Sequence, residues 1–316
     1  MNARILTAAS FIAGFALIFP AAAVDTQLLN LVMPDAKVLG GVNVEQAKAS
    51  PFGQYVLQQV QTQDQDLKKL EAMTGFDPTR DVRELLVASN NPGSENDHTG
   101  LFLARGTFNP GLIAAAAAAH GGATESYNGI TILEDPKKTH GVAFPDASLA
   151  VAGDIANVKA ALDRLRSPSS LPGSVVAQVN QWSGSQDAWG ISTVPPSSLH
   201  PPSTAPKVPG LSGSTPAFQN IQSAAGGVKF GALVVVTGQV QAASAQDAQQ
   251  MADALKLLAN LAQMQASNEP AVAAVAQSLT VSTSGATLNA SVSVSEDQIQ
   301  QAVKPKPAAR RPAHKM

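Results

Sequence analysis

The chain contains no cysteine. Disulfide cross-links, thiolate nucleophiles, Cys-ligated metals and a lipid anchor on an N-terminal cysteine are therefore all excluded. Aromatic residues make up 4% and charged residues 14% of the 316 positions, the latter well below the usual quarter. A core must be built mainly from Ala, Val and Leu. No apolar run outside the extreme N-terminus reaches the ~20 residues that a membrane-spanning helix needs.

Chemical signatures are missing as well. There is no Gly-x-Ser-x-Gly elbow, no phosphate-binding loop ending in Lys-Ser/Thr, no dinucleotide fingerprint and no His-Glu-x-x-His. His98, His120, His140 and His200 fall on different loops and helix ends, without the short spacing that puts two ligands on one helical face. Glu95, Asp97 and His98 come nearest to a cation site, but no Asp-x-Asp-x-Asp-Gly pattern imposes ion geometry, and they read as a solvated loop. No catalytic residue, cofactor or metal is expected.

What is present begins with a secretory signal. Arg4 supplies the positive n-region, Ile5 to Phe19 the apolar stretch, and Ala21-Ala22-Ala23 a small-residue cleavage site, with the cut expected after Ala23. An uncleaved anchor is the alternative. The expected destination is the bacterial periplasm or the exterior. Charge is unevenly placed: Lys304, Lys306, Arg310, Arg311 and Lys315 form a basic, Pro-rich tail over 304–316, while residues 24–303 hold 15 basic against 23 acidic groups. Such a tail stays extended and solvated and could touch an anionic envelope polymer or a membrane surface. Nucleic acid is not the expected partner.

Periodicity and turn chemistry give the element order. Lys37 to Val44 predicts a strand, Pro51 opens a helix, and Gly75 closes the helix after it. Arg83 to Ser89 and Leu101 to Phe108 predict a hairpin. Asn109-Pro110 opens an alanine helix that Gly121-Gly122 stops. Asn128-Gly129 marks a turn, Gly141 to Ala152 a strand pair about Pro145-Asp146, and Asp154 caps a helix ended by Pro168. Beyond it, Val175 to Trp182 is helical and Ala188 to Val194 a strand. Val228 to Ala242 predicts one long strand, Ala245 to Ala266 a long helix, residues 279–294 a hairpin about Gly285, and Ser295 with Gln298 a capping box.

The fold class is thus α+β, with two related units, each an antiparallel-rich sheet bearing helices on one face. The units span 24–166 and 167–303, and share the order helix, strand, strand, helix, strand, strand, helix. Convergent order in a two-layer fold is the competing explanation. Seven prolines at 195–216 make a long loop inside the second unit. Trp182 and Trp189, the only tryptophans, would contact a ligand if exposed and anchor the core if buried. On the helix at 245–266, Met251, Ala254, Leu255, Leu258, Leu261 and Ala262 share the expected inward face. Arg80 with Asp81 could order a site, or simply pair at the surface.

Met33-Pro34-Asp35-Ala36, Gly106-x-Phe108 and Ala150-x-Ala152-Gly153-Asp154 resemble turns and caps of uncharacterised exported bacterial proteins in the domain-of-unknown-function families. That resemblance implies export and a duplicated α+β unit and carries over no active site. The reading that follows is a non-catalytic cell-envelope protein that binds or scaffolds. Two alternatives stay open: a periplasmic hydrolase using Asp187 or His200 under the Pro-rich loop, and a carrier of an apolar ligand held between sheet and helices.

Overall fold

The computed structural model describes residues 24–63, 65–92, 100–199, 218–264, 270–295 and 298. The predicted signal peptide, Glu95, Asp97, His98, His200, most of the Pro-rich loop and the basic tail with Lys304, Lys306, Arg310, Arg311 and Lys315 lie outside these residues.

Helix α1, Thr26–Leu31, is capped by Asp25, whose carboxylate accepts from the N–H groups of Gln27 and Leu28. Strand β1 (Val38–Asn43) is followed by α2 (Val44–Ala49), α3 (Pro51–Gln63), α4 (Gln65–Thr74) and α5 (Pro78–Asp81). Gly75, at φ 69°, ends α4 as its position foretells. Strands β2 (Val82–Ser89) and β3 (Gly100–Gly106) form the expected antiparallel pair. Helix α6 (Pro110–Ala119) opens where Asn109 Oδ1 accepts from the Leu112 N–H at 3.2 Å. Strands β4 (Ala123–Tyr127) and β5 (Ile130–Glu134) turn at Asn128-Gly129, both with positive φ, the geometry that selects this dipeptide. Strands β6 (His140–Asp146) and β7 (Leu149–Asp154) turn at Ala147-Ser148, two residues beyond the expected Pro145-Asp146, and lead into α7 (Ile155–Arg166).

The second half runs α8 (Gly173–Ser183), β8 (Ala188–Ser192), a 3-10 turn at Pro196–Ser198, β9 (Ile221–Lys229), β10 (Leu233–Ala242), α9 (Ala245–Met264), α10 (Pro270–Ser278), β11 (Thr280–Ser284) and β12 (Thr287–Ser295). The capping box forms: the Ser295 N–H donates to Gln298 Oε1 at 3.0 Å and the Gln298 N–H to Ser295 Oγ at 3.4 Å. The single strand expected over Val228 to Ala242 is instead a hairpin of β9 and β10. Buried Asp187 sets the break, accepting from the Phe230 N–H and from Lys229 Nζ, both at 2.6 Å. Helices α1 and α10 were not expected from periodicity, being short and, in α10, almost wholly Ala and Val.

All twelve strands join one antiparallel sheet in the order β11-β12-β10-β9-β8-β1-β2-β3-β7-β6-β5-β4. The halves meet at β1 and β8, where Gly40 faces Gly190. From that pair one line of partners crosses the whole sheet. On one side run Val87, Phe102, Ala152, Val142, Leu133 and Thr124. On the other run Gly226, Gly238, Ala290 and Val281. Residues paired directly across strands share a face, so this row marks one side of the sheet.

The larger core is on the opposite side. Leu39, Leu86, Leu101, Leu103, Val151 and Ile191 alternate with the row and pack under α1, α7 and α8 through residues such as Leu28, Val158 and Val179. This cluster draws on residues from both sides of position 166, so the two sequence units do not own separate cores. A smaller cluster lies on the row's side, where Ala248, Met251 and Ala252 of α9 cover Ala242 and Leu288. Helices therefore occupy both faces, in place of the one face expected per unit. The reason is visible in β12, where apolar Leu288, Ala290, Val292 and Val294 lie on the row's side of the sheet, Leu288 and Ala290 under α9, while Thr287, Asn289, Ser291 and Ser293 alternate to the other side.

Candidate functional site: an apolar cavity under helix α9

Helix α9 starts at Ser244, whose Oγ accepts from the Asp247 N–H at 3.1 Å. Its buried stripe of Ala248, Met251 and Ala252 continues to Leu255. Between this stripe and the sheet is a cavity of about 580 Å³. Gly238 and Ala290 form the floor, Val240 and Leu288 the walls, Met251 and Leu255 the roof, and Phe218 with Pro196 the rim. None of the lining residues is ionisable, and exposed Gln219 alone contributes a side-chain amide. That volume and lining suit a small apolar ligand, and a charged group would lose its hydration there without compensation.

A second cavity, about 440 Å³, lies under α6 on the same face of the sheet. Phe102, Leu133, Val142 and Ala152 floor it, Ile113 and Ala117 roof it, and His120, His140, Glu134 and Asp135 stand around it. The His140 ring sits 3.6 Å from Asp154 Oδ1, and its Nδ1 is 2.9 Å from Thr139 Oγ1.

A third, polar pocket gathers Asp25, Glu84, Arg105, Asp146 and Ser148. Arg105 Nε donates to Asp25 Oδ2 at 2.9 Å, its NH1 to Ser148 Oγ at 3.2 Å, and its NH2 to Gln27 Oε1. The Asp25 N–H donates to Glu84 Oε1 at 3.0 Å. Burial pushes the Glu84 carboxyl above its ordinary value. On Asp25 burial acts in the same direction, but the Arg105 guanidinium and the N–H groups of Gln27 and Leu28 together outweigh it and hold the carboxyl low. These groups satisfy one another, tying α1 to β2, β3 and the turn after β6.

Trp182 and Trp189, 4% and 7% exposed, are core residues, so neither indole presents a contact surface. Asp187 is committed to Lys229 and Phe230 and is only 2% exposed, so its carboxylate serves to hold the turn after β9. Arg80 grips Asp81 through two 2.7 Å bonds and the Gly75 carbonyl at 2.6 Å, fastening the end of α4 to α5. Leu261, expected inward, is exposed together with Leu257 and Met264; the last turns of α9 run beside α10, where Gln263 Nε2 donates to the Ala276 carbonyl at 3.3 Å. Among the described residues no group of three or more His, Asp or Glu is placed to hold a metal ion, and no helix is long and apolar enough to cross a membrane.

Sequence reasoning did not single out Gly238, Phe218 or Ile221. One signal was available: Gly238 interrupts a Val-rich strand, and a lone glycine in a strand marks either a bulge or a need for space.

No family model and no curated protein matches the sequence. Solved structures do. Crystal form III of TP0453 superposes with a TM-score of 0.54 at 12% identity, covering 87% of this chain and 96% of that one. Crystal form I gives 0.51 at 11% identity over 89% and 98% of the two chains. At such identity the likeness is one of fold: the chain shares its overall architecture with TP0453.

Proposed function

We propose that this protein is an exported, non-catalytic carrier of the bacterial cell envelope that holds an uncharged apolar molecule between α9 and the sheet. The observation that carries the reading is the α9 cavity, with its ten-residue lining free of ionisable groups. Catalysis needs a polar group aimed at a reacting atom, and this lining offers none beyond the amide of Gln219. Export rests on the sequence of residues 1–23 and on the resemblance to uncharacterised exported proteins.

The same reading takes the chain as a tandem duplication. Its support is the strand order read outward from the β1 and β8 pair: β1, β2, β3, β7, β6 on one side match β8, β9, β10, β12, β11 on the other. The crossover helices α6 and α9 leave the third strand of each series. Helices α2 to α5 then occupy the place of the Pro-rich loop, and the β4–β5 hairpin is an addition to the first half.

Native mass spectrometry of the protein purified from a bacterial envelope tests the function. One uncharged small molecule retained per chain is the expected result. A ligand-free protein that also takes up no apolar probe would overturn it.

A further inference from the structure

We infer that position 238 decides what the α9 cavity admits and that Phe102, with the ionisable groups around it, keeps an apolar ligand out of the counterpart under α6, so that the chain carries one apolar ligand and not two. This rests on the carrier reading and adds its residue-level determinant. Stepping outward from Gly40 and Gly190, Val87 answers to Gly226, Phe102 to Gly238, Ala152 to Ala290 and Val142 to Val281. Phe102 and Gly238 thus hold the same seat: third strand from the centre, same face, beneath the helix that leaves that strand. The roofs correspond too. Ile113 and Ala117, four apart on α6, cover one cavity as Met251 and Leu255, four apart on α9, cover the other.

Glycine weakens a strand interior, so its presence at 238 asks for a cause. Backbone conformation is not that cause, since Gly238 is absent from the positive-φ positions. Close approach is not the cause either: a Cβ built there meets nothing within 4 Å. What glycine supplies at 238 is the empty space itself, which is the depth of the cavity floor. At the matching seat a phenyl ring, 50% exposed, takes up part of that space and leaves a cavity of about 440 Å³ beside it. The α6 cavity also has Glu134, Asp135, His120 and His140 around it, where the α9 cavity has no titratable side chain.

The test is a titration of the full chain with an uncharged dialkylaminonaphthalene ketone dye, reading affinity and stoichiometry by fluorescence and folding by thermal melting. Wild type is expected to take one dye, Gly238→Phe to bind it at least about tenfold more weakly with melting preserved, and Phe102→Gly to take a second equivalent. Should Gly238→Phe fail to fold, the decision passes to Leu255→Trp, which fills the same cavity from the helix side, and to Gly238→Ala, for which a weaker but measurable loss is expected. Unchanged affinity in these filled variants overturns the role of position 238. A stoichiometry of one in Phe102→Gly overturns the role of Phe102. Absence of dye uptake by wild type sinks the carrier reading itself, a different failure from the first two.

Discussion

The indole of Trp189 lies directly over the Cα of Gly41, and a Cβ at that position would meet the ring at 2.8 Å. Both residues sit paired at the seam between β1 and β8, and the Trp189 ring is itself packed in the larger core. Gly41→Ala should therefore destabilise the fold by about 1–3 kcal/mol, measurable as a lower denaturant midpoint at constant slope. Trp182 Nε1 has no hydrogen-bond partner among the described residues although the side chain is buried. Trp182→Phe deletes that unpaired donor, so its cost should fall well short of the ~3 kcal/mol or more expected for truncation to Ala. Glu84 brings a pH dependence. Its carboxyl is raised by burial, so the ionised form is the disfavoured one in the folded state, and stability is lost as pH rises through the folded value. Glu84→Gln keeps the acceptor for the Asp25 N–H and removes the charge. It should melt higher than wild type at neutral pH, with the difference vanishing in acid, where Glu84 is protonated in both states.

At the scale of the element, capping rules and turn dipeptides made most boundaries legible: Asn109-Pro110 for α6, Asn128-Gly129 for the β4–β5 turn, Ser295 with Gln298 for the capping box. Each works through atoms a few residues apart, so tertiary context has little room to override it. The β9–β10 hairpin was illegible for the opposite reason. Residues 221–227 are Ile, Gln, Ser, Ala, Ala, Gly and Gly, a poor strand by propensity, and they pair only because β8 and β10 flank them. Asp187, from the loop before β8, fastens the β9 end of that hairpin. Asp187→Ala leaves the Phe230 N–H without its acceptor and frees Lys229, which is 40% exposed and can return to water, so a loss of about 2 kcal/mol is expected by chemical denaturation. A result within error of wild type would show that the hairpin needs no such tie.

At the scale of the whole molecule, the boundary drawn after residue 166 crosses a single core. Leu171, Val175, Val179 and Trp182 of the second unit pack in the same cluster as Leu39, Leu86 and Leu101 of the first. A fragment of 24–166 would also lose the β8 partner of β1 and expose a long unpaired edge. It should show no cooperative thermal transition, while the chain truncated after Val303 keeps one. That truncation also tests the basic tail. If Lys304, Lys306, Arg310, Arg311 and Lys315 hold an anionic envelope polymer, capture from envelope extract will be lost on truncation and in high salt. Capture that survives both places recognition on the folded body. By itself the sequence determined the α+β class, most helix and strand starts, the cysteine-free core and the division of charge between body and tail, because these follow from composition and from contacts within a few residues. Only the tertiary structure decided that both halves share one sheet, that the tryptophans are buried, that Asp187 is already bonded, and that Gly238 and Met251 face each other across a cavity. Those facts depend on residues far apart in the chain, and no local pattern encodes which strands become neighbours.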